Sequence, residues 1–515
     1  MWARRAGKSA LAVTILVLAA LAWWRGACLL AGPDIDTDAY AHHMIARAIL
    51  ADPRDLSVHW VWLPLFHYIQ VPLVALGGTM QAVRWANVVV ASALPLVLFF
   101  YVRRTTTRAP DLTASFAAIV AAACPIAMQM STTAQPEPLF ALLVLFAAIA
   151  WQERHEGIAA ALFSAAVLLR YEAWAAVAAV AATLFVQSWM PRRRQPPHVR
   201  SRRPWAVVAA PCALILVWAL LRRPVDGRWF GFLGDTHQFA ADATRAGAAR
   251  RGAANLALDL LYYPLWVPLR VMGPVLPLVP FGVSRTVREQ GARFTLVLAA
   301  CLAFVSFSWA MRATLGLDRH FVVVVPLYAT FAAQGLVAAA DAGTRVARRG
   351  GVVRGAARVT GGLLGAASLG GLFVALYVWM GFWKGSIERG WPDRAAAGAF
   401  LRTLPPTSTV FCDEATLEIL SGLDRHRIDR HWVDDPHTWD IVADVARARG
   451  EAYVATWSRK FRGHQDAGEV LFRAPTPDGD PTSGIEVMRV VRTLDRRERA
   501  DDTPKVAPDG GRAAR

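Results

Sequence analysis

The chain has 515 residues, of which 55% are hydrophobic and 18% charged, and its mean hydropathy is +0.32. Soluble domains usually carry about a quarter charged residues, so the composition excludes disordered and fibrous classes and indicates a protein embedded in lipid. The net charge is +17. Because the basic excess lies largely in short loops between apolar runs, it is typical of membrane orientation and predicts no nucleic-acid partner.

Apolar runs of roughly 20 residues, enough to cross the hydrocarbon layer as helix, recur along the chain. They predict a polytopic all-α membrane domain over residues 1–383, with about eleven transmembrane helices, a cytoplasmic amino terminus and a first outer loop at 32–80. Arginine clusters at 191–204 and 341–358 then lie on cytoplasmic loops. The predicted spans are 10–31, 81–102, 112–130, 139–151, two helices meeting near 170–172, 205–221, one ending at 284, 294–312, 321–340 and 361–383.

Two segments permit a second interpretation. The basic start, followed by the apolar run 11–22, resembles a cleaved signal peptide, but apolar residues continue beyond it and favour an uncleaved helix. The segment 62–78 is apolar enough to span the membrane. A span there would place both arginine clusters on the outer side, so we predict that it lies at the membrane surface or re-enters.

The first outer loop contains three carboxylates at alternating positions, Asp34, Asp36 and Asp38. Side chains two apart in an extended segment share a face, which suits either a hard cation or a general base. Asp38 also falls where a helix begins, and a helix amino terminus favours an ionised carboxylate. The alternative is that these are solvated loop residues with a helix cap among them.

Further charged residues are predicted at the outer ends of later helices. Glu137 stands between two prolines in a short loop. Arg170, Arg319 and His320 are candidates for binding a phosphate group, which arginine grips through two parallel hydrogen bonds. The alternative is that the arginine stems extend to the interface and that Arg170 pairs with Glu172. Four histidines crowd the first loop without regular ligand spacing, so no histidine metal site is predicted: His42, His43, His59 and His67.

Beyond residue 384 the pattern changes to short candidate strands interleaved with helical stretches. Strands are predicted at 409–412, 452–457, 469–473 and 485–491, with a helix at 439–449. Residues 384–495 are therefore predicted to form an extracytoplasmic α/β domain. The charged segment 496–515, which contains Pro and Gly, is predicted to be disordered.

The ordered set of motifs resembles the GT-C superfamily of membrane glycosyltransferases, which includes dolichyl-phosphate-mannose protein mannosyltransferases, aminoarabinose transferases and oligosaccharyltransferases. The Asp-x-Asp spacing is nearer the oligosaccharyltransferase pattern, but the Trp-Trp-Asp signature of those enzymes is missing from the tail, so transfer of a single sugar is predicted. The residues that carry the resemblance are Asp36-Thr37-Asp38-Ala39-Tyr40, Trp62 to Tyr68, Gln135 to Leu139, Leu169 to Glu172 and Asp318-Arg319-His320.

The resemblance implies a multi-pass hexosyl- or pentosyltransferase in a bacterial inner or plasma membrane. Its donor would be a polyprenyl-phosphate sugar and its acceptor a glycan, protein or lipid, with inversion at the anomeric carbon. Asp36 or Asp38 would act as base, and Arg170, Arg319 and His320 would bind the donor phosphate. Asp36, Asp38 and Glu137 would hold Mg²⁺ or Mn²⁺ if a cation is used. The alternatives are a membrane transporter and a membrane-anchored cell-envelope assembly protein without catalysis.

Overall fold

In the computed structural model the chain divides into two units, residues 1–385 and 386–515. The predicted disordered tail 496–515 and most of the arginine cluster 191–204 lie outside the described residues. The structure describes residues 2–30, 32–34, 36–189, 203–245, 253–349, 354–423, 425–429, 433, 436–461, 464–474 and 484–491.

The first unit is helical throughout its described residues, as the apolar runs predict. Two helices lie in the first loop between α1 and α4. The helices are α1 (Trp2–Leu30), α2 (Thr37–Ala51), α3 (Leu65–Ala75), α4 (Met80–Thr105), α5 (Pro110–Ala123), α6 (Pro125–Ser131), α7 (Glu137–Gln152), α8 (Glu156–Val167), α9 (Glu172–Trp189), α10 (Arg203–Asp226), α11 (Gly231–Arg245), α12 (Ala253–Leu260), α13 (Val267–Met272), α14 (Val279–Glu289), α15 (Ala292–Ala310), α16 (Val325–Arg349) and α17 (Arg354–Leu401).

Seven of the described helical segments are long and apolar enough to cross a membrane, and α5 with α6 makes an eighth if that bent pair is one span. The chain is therefore a multi-span membrane protein, but helix length and composition do not confirm the predicted eleven spans. Helices α7 and α8 account for part of the difference, because their 16 and 12 residues fall short of the roughly 20 needed to cross the hydrocarbon layer.

The apolar segment 62–78 contains α3, which has only 11 residues. At about 1.5 Å per residue this helix covers roughly half of the hydrocarbon thickness. Its exposed side chains include Tyr68, Ile69 and, just beyond its end, Leu76. A helix of this length does not cross the membrane by itself, and the prediction that the segment lies at the membrane surface or re-enters stays a prediction.

Small residues allow the helices to pack closely. A Cβ atom added at Gly282 of α14 would lie 1.8 Å from the carbonyl oxygen of Phe331, and one added at Gly335 of α16 would lie 1.9 Å from that of Leu278. Such backbone contact is a common source of stability between membrane helices, where lipid leaves little hydrophobic driving force. The backbones of α14 and α16 therefore lie in close contact.

The second unit contains a five-stranded mixed sheet in the order β2-β1-β3-β5-β4, and the predicted strands are confirmed. Alternate residues of β1 and β3 enter two apolar clusters, one on each face of the sheet. Helix α17 continues to Leu401, beyond the predicted helix end at 383. The strands are β1 (Val410–Cys412), β2 (Ile428–Asp429), β3 (Ala452–Trp457), β4 (Glu469–Arg473) and β5 (Ile485–Val490), and the helices are α18 (Ala415–Ser421) and α19 (Pro436–Arg449).

Candidate active site

Four carboxylates stand at the amino-terminal ends of three helices. Asp36 caps α2, and its side chain accepts a hydrogen bond of 3.0 Å from the backbone N–H of Asp38 in the first turn. Glu137 is the first residue of α7, and Glu172 is the first residue of α9. A helix amino terminus carries a partial positive charge and unpaired N–H groups, so each carboxylate occupies a position where its negative charge is favoured.

Arg319 joins carboxylates that are far apart in the sequence. It lies in a 3-10 turn, Asp318–Val324, immediately before α16. Its Nη1 donates to Asp36 Oδ2 at 3.1 Å, its Nη2 forms an ion pair with Asp38, and its Nε lies 3.4 Å from Glu137 Oε1. The structure thus brings together residues separated by nearly 300 positions in the sequence.

Arg170 extends the same cluster. Its Nη1 donates to Glu137 Oε1 at 2.7 Å and its Nη2 donates to Glu172 Oε1 at 2.8 Å. His320 Nδ1 lies 3.8 Å from the same Glu172 oxygen. The predicted residues Asp36, Asp38, Glu137, Arg170, Arg319 and His320 therefore all lie in one network, with Glu172 as a further member.

The side chains of the network differ in exposure, from fully buried to partly exposed. The side chains of Glu137 and Glu172 are 3% and 4% exposed, whereas that of Asp38 is 36% exposed. Burial raises the pKa of Asp36 in spite of the attraction of Arg319. At Asp38 the effect of burial is outweighed by Arg319, which lowers the pKa of that carboxyl. Asp38 is therefore the ionised carboxylate that an incoming molecule reaches first.

Asp34, the first of the three alternating carboxylates, has a supporting position. Its carboxylate accepts hydrogen bonds from the backbone N–H groups of Ala134, at 2.8 Å, and Asp36, at 3.1 Å. Burial raises its pKa to about 7, against the nearby charge of Arg84. Asp34 thus connects the start of the first loop to the loop that precedes Glu137. Unlike Asp38, Asp34 is buried.

Two residues of α4 that the sequence analysis did not single out hold the site loops in place. Arg84 donates to the carbonyl oxygens of Gly32, at 2.9 Å, and Thr132, at 2.7 Å. Asn87 donates to the carbonyl oxygens of Thr133 and Gln135. The available signal was an arginine and an asparagine within an otherwise apolar helix, since polar residues at membrane depth are costly and usually have a task.

The carboxylates predicted to hold a divalent cation are all bound to one arginine. The three carboxylates predicted to hold it, Asp36, Asp38 and Glu137, all contact the Arg319 guanidinium. In the part of the chain that the structure describes, no group of three or more His, Cys, Asp or Glu side chains is placed to hold a metal ion. The guanidinium occupies the place between the carboxylates, so we assign no chemical step to a cation.

The opposite end of the bundle is basic. Arg103 and Arg104 lie in the last turn of α4, and Arg108 pairs with Asp341 near the end of α16. Both helices begin beside the network of acids and arginines, since Arg84 is near the start of α4 and Arg319 immediately precedes α16. The acidic site and this basic end therefore lie at opposite ends of the same two helices.

Comparison with known proteins gives one family and several solved structures. A family model described as dolichyl-phosphate-mannose-protein mannosyltransferase matches residues 63–222, a range that includes Glu137, Arg170 and Glu172. No curated protein matches the sequence.

The solved structures match over most of the chain at low identity. ArnT from Cupriavidus metallidurans bound to undecaprenyl phosphate has a TM-score of 0.60 at 14% identity, covering 93% of this chain and 97% of that one. The oligosaccharyltransferase of Archaeoglobus fulgidus in the apo form has a TM-score of 0.56 at 11% identity, covering 94% and 75%. The AglB oligosaccharyltransferase of the same organism, in complex with an inhibitory peptide and a dolichol-phosphate, has a TM-score of 0.52 at 10% identity, covering 94% and 74%.

Proposed function

We propose that this chain, which has the GT-C fold of membrane glycosyltransferases as the sequence analysis predicted, transfers one sugar from a polyprenyl-phosphate donor to an acceptor hydroxyl with inversion at the anomeric carbon. The observation that carries the proposal is the convergence of Asp36, Asp38 and Glu137 on Arg319. Four polar residues from three separate segments meet at one end of an apolar bundle. Buried charges are costly, and such clusters mark functional sites more often than structural ones.

Arg170 and Arg319 would receive the donor phosphate. The isoprenoid chain of such a donor lies in lipid and its phosphate at the membrane surface, which is where these helix ends belong. Both guanidiniums are held in place by carboxylates at 2.7 to 3.1 Å. They are therefore oriented before the donor arrives, and positive groups fixed in this way stabilise charge that develops in the transition state. His320, which lies beside Glu172, would bind the donor phosphate together with the two arginines.

Asp38 is our candidate base. It takes the proton of the acceptor hydroxyl while the oxygen attacks the anomeric carbon from the face opposite the phosphate, which inverts the configuration. The bond between the anomeric carbon and the phosphate oxygen breaks, and its electron pair goes to that oxygen. Because a phosphate group is already a weak base, its departure needs no proton donor, and the arginines supply the charge compensation.

Asp36 would support this chemistry rather than perform it. One of its oxygens caps α2 and the other binds Arg319. Its side chain is 21% exposed, compared with 36% for Asp38. The arrangement therefore favours Asp38 over Asp36, which the Asp-x-Asp spacing alone left undecided.

The site would face the outside of the cell. The basic residues at the opposite end of α4 and α16 belong on the cytoplasmic side by the positive-inside rule. We propose with this orientation a cytoplasmic amino terminus and an extracytoplasmic second unit, and we propose a bacterial inner or plasma membrane as the location.

The donor class is also supported by the complexes named above, ArnT with undecaprenyl phosphate and AglB with a dolichol-phosphate. The sugar is a hexose or a pentose. The acceptor is a glycan, a protein or a lipid.

A transfer assay tests the proposal against its alternatives. The purified protein in vesicles is incubated with a cell-envelope extract and a panel of labelled undecaprenyl-phosphate hexoses and pentoses. We expect label to pass from the lipid fraction to an acceptor. Uptake of a free solute into the vesicles without such transfer would indicate a transporter. The absence of both activities would favour an assembly protein.

A divalent cation remains a prediction that chelation can test. Because Arg319 lies among all three candidate ligands, we expect transfer to continue in EDTA at a rate within about twofold of the untreated rate, whereas catalysis that requires a metal loses several kcal/mol of stabilisation when the metal is removed. Transfer is measured before and after dialysis against EDTA, and again after Mg²⁺ or Mn²⁺ is added. Complete loss that Mn²⁺ restores would contradict the assignment of charge compensation to the arginines.

A further inference from the structure

Three buried histidines of the first loop form a continuous chain. His42 lies on α2, His59 ends the 3-10 turn Leu56–His59, and His67 lies on α3. His67 Nε2 lies 2.8 Å from His42 Nδ1, and His67 Nδ1 lies 2.8 Å from His59 Nδ1. The central histidine thus uses both ring nitrogens, and none of the three residues is more than 3% exposed.

This chain is a hydrogen-bonded row rather than a metal site. Two nitrogens bound to one zinc ion, each about 2.0–2.1 Å from it at a tetrahedral angle, are roughly 3.3 Å apart. The nitrogen pairs here are closer, at 2.8 Å, and lie on opposite edges of the His67 ring. Each contact is therefore a hydrogen bond that holds one proton.

The protons of this row can be counted. Burial lowers the pKa of His42 to about 3, lowers that of His59 to about 4, and lowers that of His67 well below its ordinary value, so all three rings are neutral at pH 7. A neutral imidazole has one N–H, which gives three protons. Two of them fill the two contacts. The third must sit on an outer nitrogen, at either His42 Nε2 or His59 Nε2.

The row therefore has two states of equal proton count. In one, every ring donates toward His42 and the outer nitrogen of His59 is bare. In the other, every ring donates toward His59 and the outer nitrogen of His42 is bare. Suppose that the row starts with the outer nitrogen of His42 bare. A proton that enters at His42 and a second proton that leaves from His59 convert it into the state in which the outer nitrogen of His59 is bare. The net result is transport of one proton along the row.

The two ends of the row have different surroundings. His42 lies four residues after Asp38 on α2, a spacing that puts two side chains on one helix face, and it interacts electrostatically with Asp38, Arg170 and Arg319. The other end leads away from the site. His59 contacts Tyr68, which is 39% exposed, across 5.6 Å between ring centroids.

The outer nitrogen of His59 is available to a proton acceptor. His59 Nε2 is buried and, among the residues that the structure describes, has no hydrogen-bond partner. The charged groups that act on this ring are Arg222 and Asp55. A buried polar atom without a partner in the protein is costly, and a water molecule bound at His59 Nε2 would satisfy this atom and receive the proton.

We propose that His42, His67 and His59 relay the acceptor's proton from Asp38 to the surface of the first loop. The inference rests on the proposed function, because the proton arises there. In each turnover the acceptor O–H bond breaks, the proton passes to the Asp38 carboxylate and then to His42, and another proton leaves from His59 Nε2 to a water molecule that enters from the surface of the first loop. Rotation of the rings restores the starting state. No oxidant or reductant is required, and Asp38 is returned to its ionised form.

His67→Gln tests the relay. A glutamine amide keeps a hydrogen bond to a neighbour but cannot take up and pass on a proton. We expect kcat for sugar transfer to fall about tenfold, less than the roughly 10²- to 10⁴-fold that loss of the base itself costs, while the donor KM stays unchanged. We also expect the lost rate to return as the concentration of an imidazole buffer is raised, because small buffer molecules then carry the proton. The wild-type rate should not respond to the buffer.

The matched control is His43→Gln, because His43 is buried beside His42 on α2 but lies outside the row. Its kcat and buffer response should equal those of the wild type. His59→Gln repeats the test at the outer end if His67→Gln does not fold. A folded relay variant with wild-type kcat, or with a loss that buffer does not relieve, would overturn the relay alone. A wild-type protein that transfers no sugar from any donor in the panel would overturn the proposed function and the relay with it.

Discussion

Arg319→Ala is expected to lower kcat/KM for the polyprenyl-phosphate donor by about 10²- to 10³-fold, the cost of removing one charge-stabilising group from a preorganised site. Donor KM should rise, because the side chain that contacts Asp36, Asp38 and Glu137 is also the proposed ligand of the donor phosphate. Arg319→Lys should recover only part of the loss, since an ammonium group lacks the planar fork of a guanidinium. Initial rates at varied donor concentration measure both effects.

Arg312→Ala provides the matched control. Arg312 lies just beyond the end of α15, pairs with Asp259 and lies over the Trp309 ring at 4.3 Å. It is therefore a partly buried, ion-paired arginine like Arg319, but its carboxylate partner is not one of the network's acids. Size-exclusion profiles should show that both variants are inserted and folded. Unchanged donor kinetics in folded Arg319→Ala would exclude this residue from phosphate binding.

Asp38→Asn should lower the rate of sugar transfer by about 10²- to 10⁴-fold, because an amide cannot accept the proton of the acceptor hydroxyl. Asp36→Asn should cost less, within about tenfold, because asparagine is as good a helix cap as aspartate and only the ion pair with Arg319 is weakened. Single-turnover transfer by the two purified variants, at saturating donor, measures the difference.

The two single variants decide which aspartate is the base. Loss confined to Asp36→Asn would make Asp36 the base and Asp38 its support. Full transfer by both single variants and by the double variant would contradict the assignment of a first-loop base. Equal expression and equal elution volume of all the proteins in the same detergent are the required controls.

Much of the fold follows from hydropathy and strand patterning alone. Four predicted strands lie where β1, β3, β4 and β5 are found, because short apolar segments between turn residues leave few alternatives. The predicted end of the helix at 383 is wrong by 18 residues, since α17 continues to Leu401. Its later turns pack Ala397 and Leu401 against the sheet, and this tertiary contact sustains helix in a stretch whose polar residues indicated its end.

The sequence predicts which charged residues lie at helix ends, but it does not predict that they meet in one site. Alternating carboxylates and a proline-flanked glutamate indicate charge at a membrane surface, but no spacing rule connects Asp36 with Arg319, 283 positions later. That meeting depends on how α2, α7, α9 and α16 pack. Glu172 was regarded mainly as a partner of Arg170, and its contact with His320 depends on the same packing.

Photolabelling tests whether the network around Arg319 receives an isoprenoid-linked phosphate, without knowledge of the sugar or the acceptor. An undecaprenyl phosphate with a diazirine near the phosphate group is irradiated with the purified protein, and the labelled peptides are identified by mass spectrometry. We expect label on peptides from 36–47 and 317–324, displaced by excess unlabelled undecaprenyl phosphate and lost in Arg319→Ala. Displaceable label found only at the basic end of α4, around 97–108, would contradict it.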